Sequence, residues 1–141
     1  VLGAALGFKE LFQAGIIEKM PRIIAVQAEN CAPCAEAFFK NDSVPSHIAT
    51  QPTLAEGIAV AEPIRGAQII KTVREFNGDF ITVSEIEIKT WLHKMYQKGF
   101  YIEPTSAAVF AGISQHKKRL NRANTIVSVI TGHGLKSNKK V

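Results

Sequence analysis

Three groups of residues have the types and spacing to do chemistry. The first is Cys31-Ala32-Pro33-Cys34, which holds both cysteines of the 141-residue chain. A C-x-P-C that follows a strand and opens a helix is laid out as a dithiol redox site. The helix N-terminus lowers the first thiol's pKa, and the second thiol resolves the mixed disulfide. No Trp precedes the pair, and so short a pattern recurs by chance. Two buried, inert thiols are the simpler reading. His47 follows Cys34 at zinc-finger distance, but Gln51, Pro52 and Thr53 stand where a second histidine is required. Three ligands without a fourth make no structural zinc site, so no metal is expected.

The second group is Thr131-Gly132-His133-Gly134-Leu135-Lys136. Thr131 offers a hydroxyl able to donate or accept, and the two glycines can take backbone angles that other residues avoid. The third lies in residues 53–63 (TLAEGIAVAEP), small-residue rich with Glu56 and Gly57 at the centre. That composition suits a close-packed lining loop, and the residues by themselves assign it no chemistry.

The elements that would position these groups follow from periodicity. Residues 4–19 space Ala5, Phe8, Phe12 and Ile16 as one face of a helix that Pro21 ends. Residues 22–28 (RIIAVQA) read as a buried strand and residues 33–40 as a helix. Residues 41–52 form a loop, with a short extended piece at 47–50. Residues 64–76 make a helix with Ile69, Ile70 and Val73 inward, closed by Asn77-Gly78 through left-handed backbone angles. Residues 79–83 (DFITV) are a strand, and Ser84 with Glu87 predicts a capping box. Ile88, Trp91, Leu92, Met95 and Tyr96 form the stripe of that helix, which Gly99 ends; His93 lies off it. A further helix runs from Pro104 to about Leu120. In it Thr105 and Ser106 face the unpaired donors of the first turn, and Ala107, Ala108, Ala111 and Gly112 make one very small face. Residues 125–130 (TIVSVI) are β-branched and apolar, as a strand buried on both faces would be. Strands alternating with helices give an α/β class: a three-layer α/β/α arrangement in one domain over 1–141, with a mainly parallel sheet and right-handed crossovers. Ligands of such sheets bind beyond the carboxyl ends of the strands, where Thr131 falls.

Composition narrows the function. Hydrophobic residues are 46% of the chain, ordinary for a globular domain, and no apolar run reaches membrane-spanning length. The apolar start at residues 1–8 lacks the basic opening and cleavage site of a signal peptide. With no initiator Met and no polar cap before the first helix, the chain is expected to be a piece of a longer protein. The net charge of +5 comes from 17 basic and 12 acidic residues. These are spread over helix surfaces, with small concentrations at Lys117-Lys118-Arg119, Arg122 and 136–140. They are not interleaved with aromatics, which argues against nucleic acid as a partner.

Five blocks in order resemble one family: residues 2–11 (LGAALGFKEL), 24–33 (IAVQAENCAP), 54–66 (LAEGIAVAEPIRG), 101–108 (YIEPTSAA) and 131–136 (TGHGLK). They are similar to the C-terminal part of the threonine synthase family, within the tryptophan-synthase-β-like, fold-type-II group of pyridoxal-phosphate enzymes. The threonine synthase resemblance rests most on TGHGLK with LAEGIAVAEP; dehydratases and cysteate-type synthases share much of the rest. The resemblance implies a cytoplasmic enzyme, commonly a homodimer, that converts O-phosphohomoserine and water to threonine and phosphate. It implies that the Thr131 hydroxyl meets the cofactor's pyridine nitrogen and that Gly132 and Gly134 let the backbone approach the ring edge. Glu56 and Gly57 would lie in a loop near the substrate. The family's Schiff-base lysine would lie upstream of Val1, since none of Lys9, Lys19, Lys71 or Lys136 sits in such a motif. The chain alone is therefore expected to be inactive.

Overall fold

The computed structural model describes residues 1–117 and 125–136. The element order is α1 (Leu2–Gln13), β1 (Ile24–Ala28), α2 (Pro33–Phe39), α3 (Gly66–Glu75), β2 (Asp79–Val83), α4 (Glu85–Gln97) and α5 (Pro104–Lys117). β1 and β2 are hydrogen-bonded neighbours. The Asp79 N–H donates to Ile23 O at 3.3 Å and the Glu29 N–H to Val83 O at 2.9 Å. Both strands thus rise in the same direction, which makes the ladder parallel and the fold mixed α/β. By contacts the chain divides into two compact units: Val1–Ala25 with Pro33–Ile48 and Ala61–Ile81, and Val26–Ala32 with Ala49–Val60 and Thr82–Val141.

In the first unit Ala5, Ile70, Val73, Phe76 and Phe80 are buried. Lys9 reaches from α1 to Glu75 of α3 at 2.8 Å, and its ammonium lies 5.7 Å from the Phe76 ring centre. Arg74 donates to Asp42 O at 2.8 Å and covers the Phe38 ring at 5.3 Å. α1 stops at Gln13, well short of the expected end at residue 19. Gly15 takes φ +69, and the Ile16 N–H turns back to Leu11 O at 2.9 Å. This left-handed cap closes the helix well before Pro21. At the end of α3 the left-handed residue is Asn77, φ 47. Gly78 has a different task, because a Cβ there would run into the carbonyl oxygens of Ile23 and Val73.

In the second unit the capping box of α4 forms as its sequence predicts. The Glu87 N–H donates to Ser84 Oγ at 3.3 Å, and the Ser84 N–H donates to Glu87 Oε2 at 2.9 Å. Ile88, Leu92 and Met95 are buried, while Trp91 stacks on Phe110 of α5 at 6.4 Å and His93 is exposed. Gly99 ends the segment at φ +84. The small face of α5 is buried at Ala107, Ala108, Ala111 and Gly112. A Cβ on Gly112 would lie 2.7 Å from Val26 Cγ2, so the helix approaches β1 too closely for any side chain. Gln115 locks the pair of helices by donating to Thr82 O at 3.2 Å and Glu87 Oε1 at 2.9 Å.

Residues 125–130 correct an expectation. They form no strand and are exposed throughout, Val127 at 85% and Val129 at 72%. A β-branched apolar run becomes a strand only beside a neighbour that accepts its ladder. The described sheet contains β1 and β2 alone. Residues 47–50 likewise form no strand. The end of the last helix near Leu120 and the basic residues at 118, 119, 122 and 137–140 lie outside the described residues.

Two glycine substitutions separate backbone from side-chain crowding. Gly78→Ala meets carbonyl oxygens that cannot yield, so it should cost about 3 kcal/mol, the upper end of ordinary overpacking. Gly112→Ala meets a valine methyl that can shift and regains up to about 1 kcal/mol of helix propensity, so its net cost should be about 1 kcal/mol or less. Urea denaturation of both variants checks the order. In the same assay Ser84→Ala should cost about 1 kcal/mol through loss of the cap.

Candidate functional site at the start of α5

After Gly99 the chain runs through Phe100, Tyr101 and Ile102 to Glu103 and Pro104, the first residue of α5. Proline suits that place because its missing N–H would have no helical partner. Just before it, Ile102 bridges His133 in antiparallel fashion. The Glu103 N–H donates to Gly132 O at 3.1 Å, and the Gly134 N–H donates to Tyr101 O at 2.8 Å. The His133 ring stands edge-on to Tyr101, 5.3 Å between centres. This pairing brings Thr131 to the first turn of α5.

The hydroxyls of that turn serve distant segments instead of their own helix. Ser106, fully buried, accepts the Thr131 N–H at 3.0 Å, and its Oγ lies 3.1 Å from Thr131 Oγ1. Thr131 Oγ1 donates to Glu103 Oε1 at 2.9 Å. Thr105 Oγ1 accepts the Gly57 N–H at 3.1 Å. The loop that carries Gly57 is pinned at its root, where the Leu54 N–H donates to Glu85 Oε2 at 2.7 Å and the Ala55 N–H to Thr53 Oγ1 at 3.1 Å. Glu56–Ile58 is a short 3-10 turn with Glu56 and Gly57 exposed.

Gly57 and the Thr131-Gly132 pair, widely separated in sequence, are thus gathered around one helix end. Glu56 precedes Gly57 in the same turn, and Gly134 backs the group against Tyr101. Neither Gly132 nor Gly134 has a left-handed backbone, so the angle freedom expected of them is not used. Their neighbours explain the absent side chains. A Cβ on Gly132 would fall on the Glu103 carboxylate, and one on Gly134 would stand 3.1 Å from Ile102 O and the Tyr101 ring. Glu103 is the member that the sequence did not single out. Its only signal was its place immediately before Pro104 in a hydroxyl-rich helix start.

The cysteines are both buried and free. Burial pushes both thiols up from their ordinary pKa, opposite to the lowering a redox nucleophile requires. Among the described residues no group of three His, Cys, Asp or Glu could hold a metal ion. No helix among them is long and apolar enough to cross a membrane.

With this geometry in place, residues 1–132 match the family described as pyridoxal-phosphate dependent enzyme, and the chain belongs to that family. Among curated proteins it is 31% identical over 135 residues to threonine synthase of Methanocaldococcus jannaschii, covering 92% of this chain and 33% of that protein. It is 32% identical over 132 residues to threonine synthase of Synechocystis sp., covering 93% and 32%. The chain spans about a third of the length of the curated relatives it matches. Among solved structures, a threonine deaminase from T.th. superposes with a TM-score of 0.57 at 20% identity, covering 70% of this chain and 35% of that one. The two chains share the fold. The described site fits one edge of the family's cofactor. An exposed hydroxyl, held by a buried serine and a carboxylate, can make one further hydrogen bond outward, as a ring nitrogen requires.

Ser106→Ala should cost about 1–3 kcal/mol, because it strips the acceptor from a backbone donor beside a buried position. Amide exchange at Thr131 should accelerate along with the loss of stability. At the thiols, raised pKa values leave little thiolate at neutral pH. Iodoacetamide should label Cys31 and Cys34 slowly in the folded protein and readily in urea. The folded-state rate should climb only as pH passes above the ordinary thiol range.

Proposed function

We propose that this chain is part of a pyridoxal-phosphate-dependent threonine synthase, which converts O-phosphohomoserine and water to L-threonine and phosphate. The observation that carries the reading is the extent of likeness to threonine synthases, 31–32% identity over 92–93% of this chain. The gathering of Gly57 and Thr131 at one helix end supports it. Bound pyridoxal phosphate supplies an electron sink for the substrate's reacting carbon. This chain's own part is to hold and orient that group. Thr131 meets the ring nitrogen, Gly132 and Gly134 let the backbone come close to the ring edge, and Glu56 with Gly57 borders the substrate. The protein works as a cytoplasmic homodimer, and residues 1–141 are one piece of the cofactor-binding domain. The Schiff-base lysine comes from outside them.

The test is phosphate release and threonine formation from O-phosphohomoserine. The protein at its native full length should produce both in equal amounts, and the 141-residue chain alone should produce neither. Turnover of threonine or serine to a keto acid, without phosphate release from O-phosphohomoserine, would assign the protein to the dehydratases. Thr131→Val at full length should lower kcat by about 10-fold or more, the effect of losing one transition-state hydrogen bond.

A further inference from the structure

We infer that Thr105 is a positioning residue for the substrate: by holding the Gly57 N–H it sets where the Glu56–Gly57 turn stands. The inference rests on the proposed placement of that turn beside the substrate. The bond is 3.1 Å long and joins residues 48 apart in sequence. Other bonds shape the turn and fix its base. Thr53 and Ala55 are buried, the Leu54 N–H donates to Glu85 Oε2 at 2.7 Å, and Asn30 Nδ2 donates to Pro52 O at 2.6 Å. Within the turn the Ile58 N–H returns to Ala55 O at 3.0 Å and the Ala59 N–H to Glu56 O at 3.1 Å. The bond to Thr105 adds what these do not, the distance of the exposed tip from α5.

Gly57 is the matching half of the pair. Its backbone is not left-handed, so its own angles do not call for glycine. A Cβ there would lie 2.8 Å from Thr105 Oγ1 and 3.3 Å from Thr105 Cγ2. The missing side chain is what lets the hydroxyl reach the N–H. Thr105 is presented from a firmly seated helix, set against Val26 at Gly112 and bonded through Gln115 to Thr82 O and Glu87. A border held at a fixed distance meets the substrate ready-made. A border free to swing must be ordered as the substrate binds, and that ordering is subtracted from affinity.

The test uses the full-length protein with pyridoxal phosphate bound and O-phosphohomoserine as substrate. Thr105→Val keeps the shape and removes the acceptor. It should raise KM about 5-fold or more, the effect of one hydrogen bond, and leave kcat within about 2-fold, as loss of uniform binding does. Thr105→Ser keeps the hydroxyl and should return KM most of the way to wild type. Gly57→Ala should also raise KM by forcing the turn off Thr105. Combined with Thr105→Ala, which clears the space its Cβ needs, it should cost less than the two single effects together. A wild-type KM in Thr105→Val overturns the inference, as does a fall in kcat with KM unchanged. So does a Thr105→Ser variant as impaired as Thr105→Val, since packing and not the hydroxyl would then be what matters. If wild type releases no phosphate from O-phosphohomoserine but makes a keto acid from threonine or serine, the threonine synthase reading fails. The same variants measured on that substrate then decide the role of Thr105.

Discussion

The hydrogen bond from the Thr131 N–H to buried Ser106 is the contact on which the candidate site depends. It ties a segment with no sheet partner to the first turn of α5. The next bonds in the group follow from it: Thr131 to Glu103, Glu103 N–H to Gly132, and Gly134 N–H to Tyr101. Serine at that place satisfies a backbone donor and a side-chain oxygen at once. An apolar residue would take that acceptor from the Thr131 N–H and leave Thr131 Oγ1 with Glu103 alone.

Small residues set the distances at which these bonds can form. α5 lies against Val26 because Gly112 has no side chain, and its first turn reaches Gly57 through Thr105. Gly132 leaves room for a carboxylate, and Gly78 for carbonyl oxygens. In each case the glycine is required by a neighbour and not by its own backbone angle. Left-handed geometry is used elsewhere, at Gly15, Asn77 and Gly99, where helical segments end. One residue type thus has two separate physical tasks in this chain.

The polar chemistry is concentrated at one helix end, while the thiols, which carry the sharper sequence motif, are buried and free. Burial raises both thiol pKa values, whereas Thr131 stays exposed and hydrogen-bonded to Glu103. A motif's spacing says which atoms could cooperate. Its solvation decides whether they do.

The sequence by itself determined the local elements. β2 has the bounds 79–83 that its residues indicated, the α4 cap closes through Ser84 and Glu87, and the small face of α5 is buried. These depend on interactions within a few residues or on hydrophobic period, both written directly in the chain. Residue types and spacing marked Thr131 with Gly132 and Gly134, and Glu56 with Gly57, as candidates, but only the family resemblance gave them roles. Their grouping around Ser106 and Thr105 came from the tertiary structure. So did the contacts of Glu103 and the fate of residues 125–130. A strand pairs only if another backbone lies alongside, and a hydroxyl's partner is whatever the fold brings within about 3 Å. Neither is encoded in the residue's own neighbourhood, and so only the folded chain decides them.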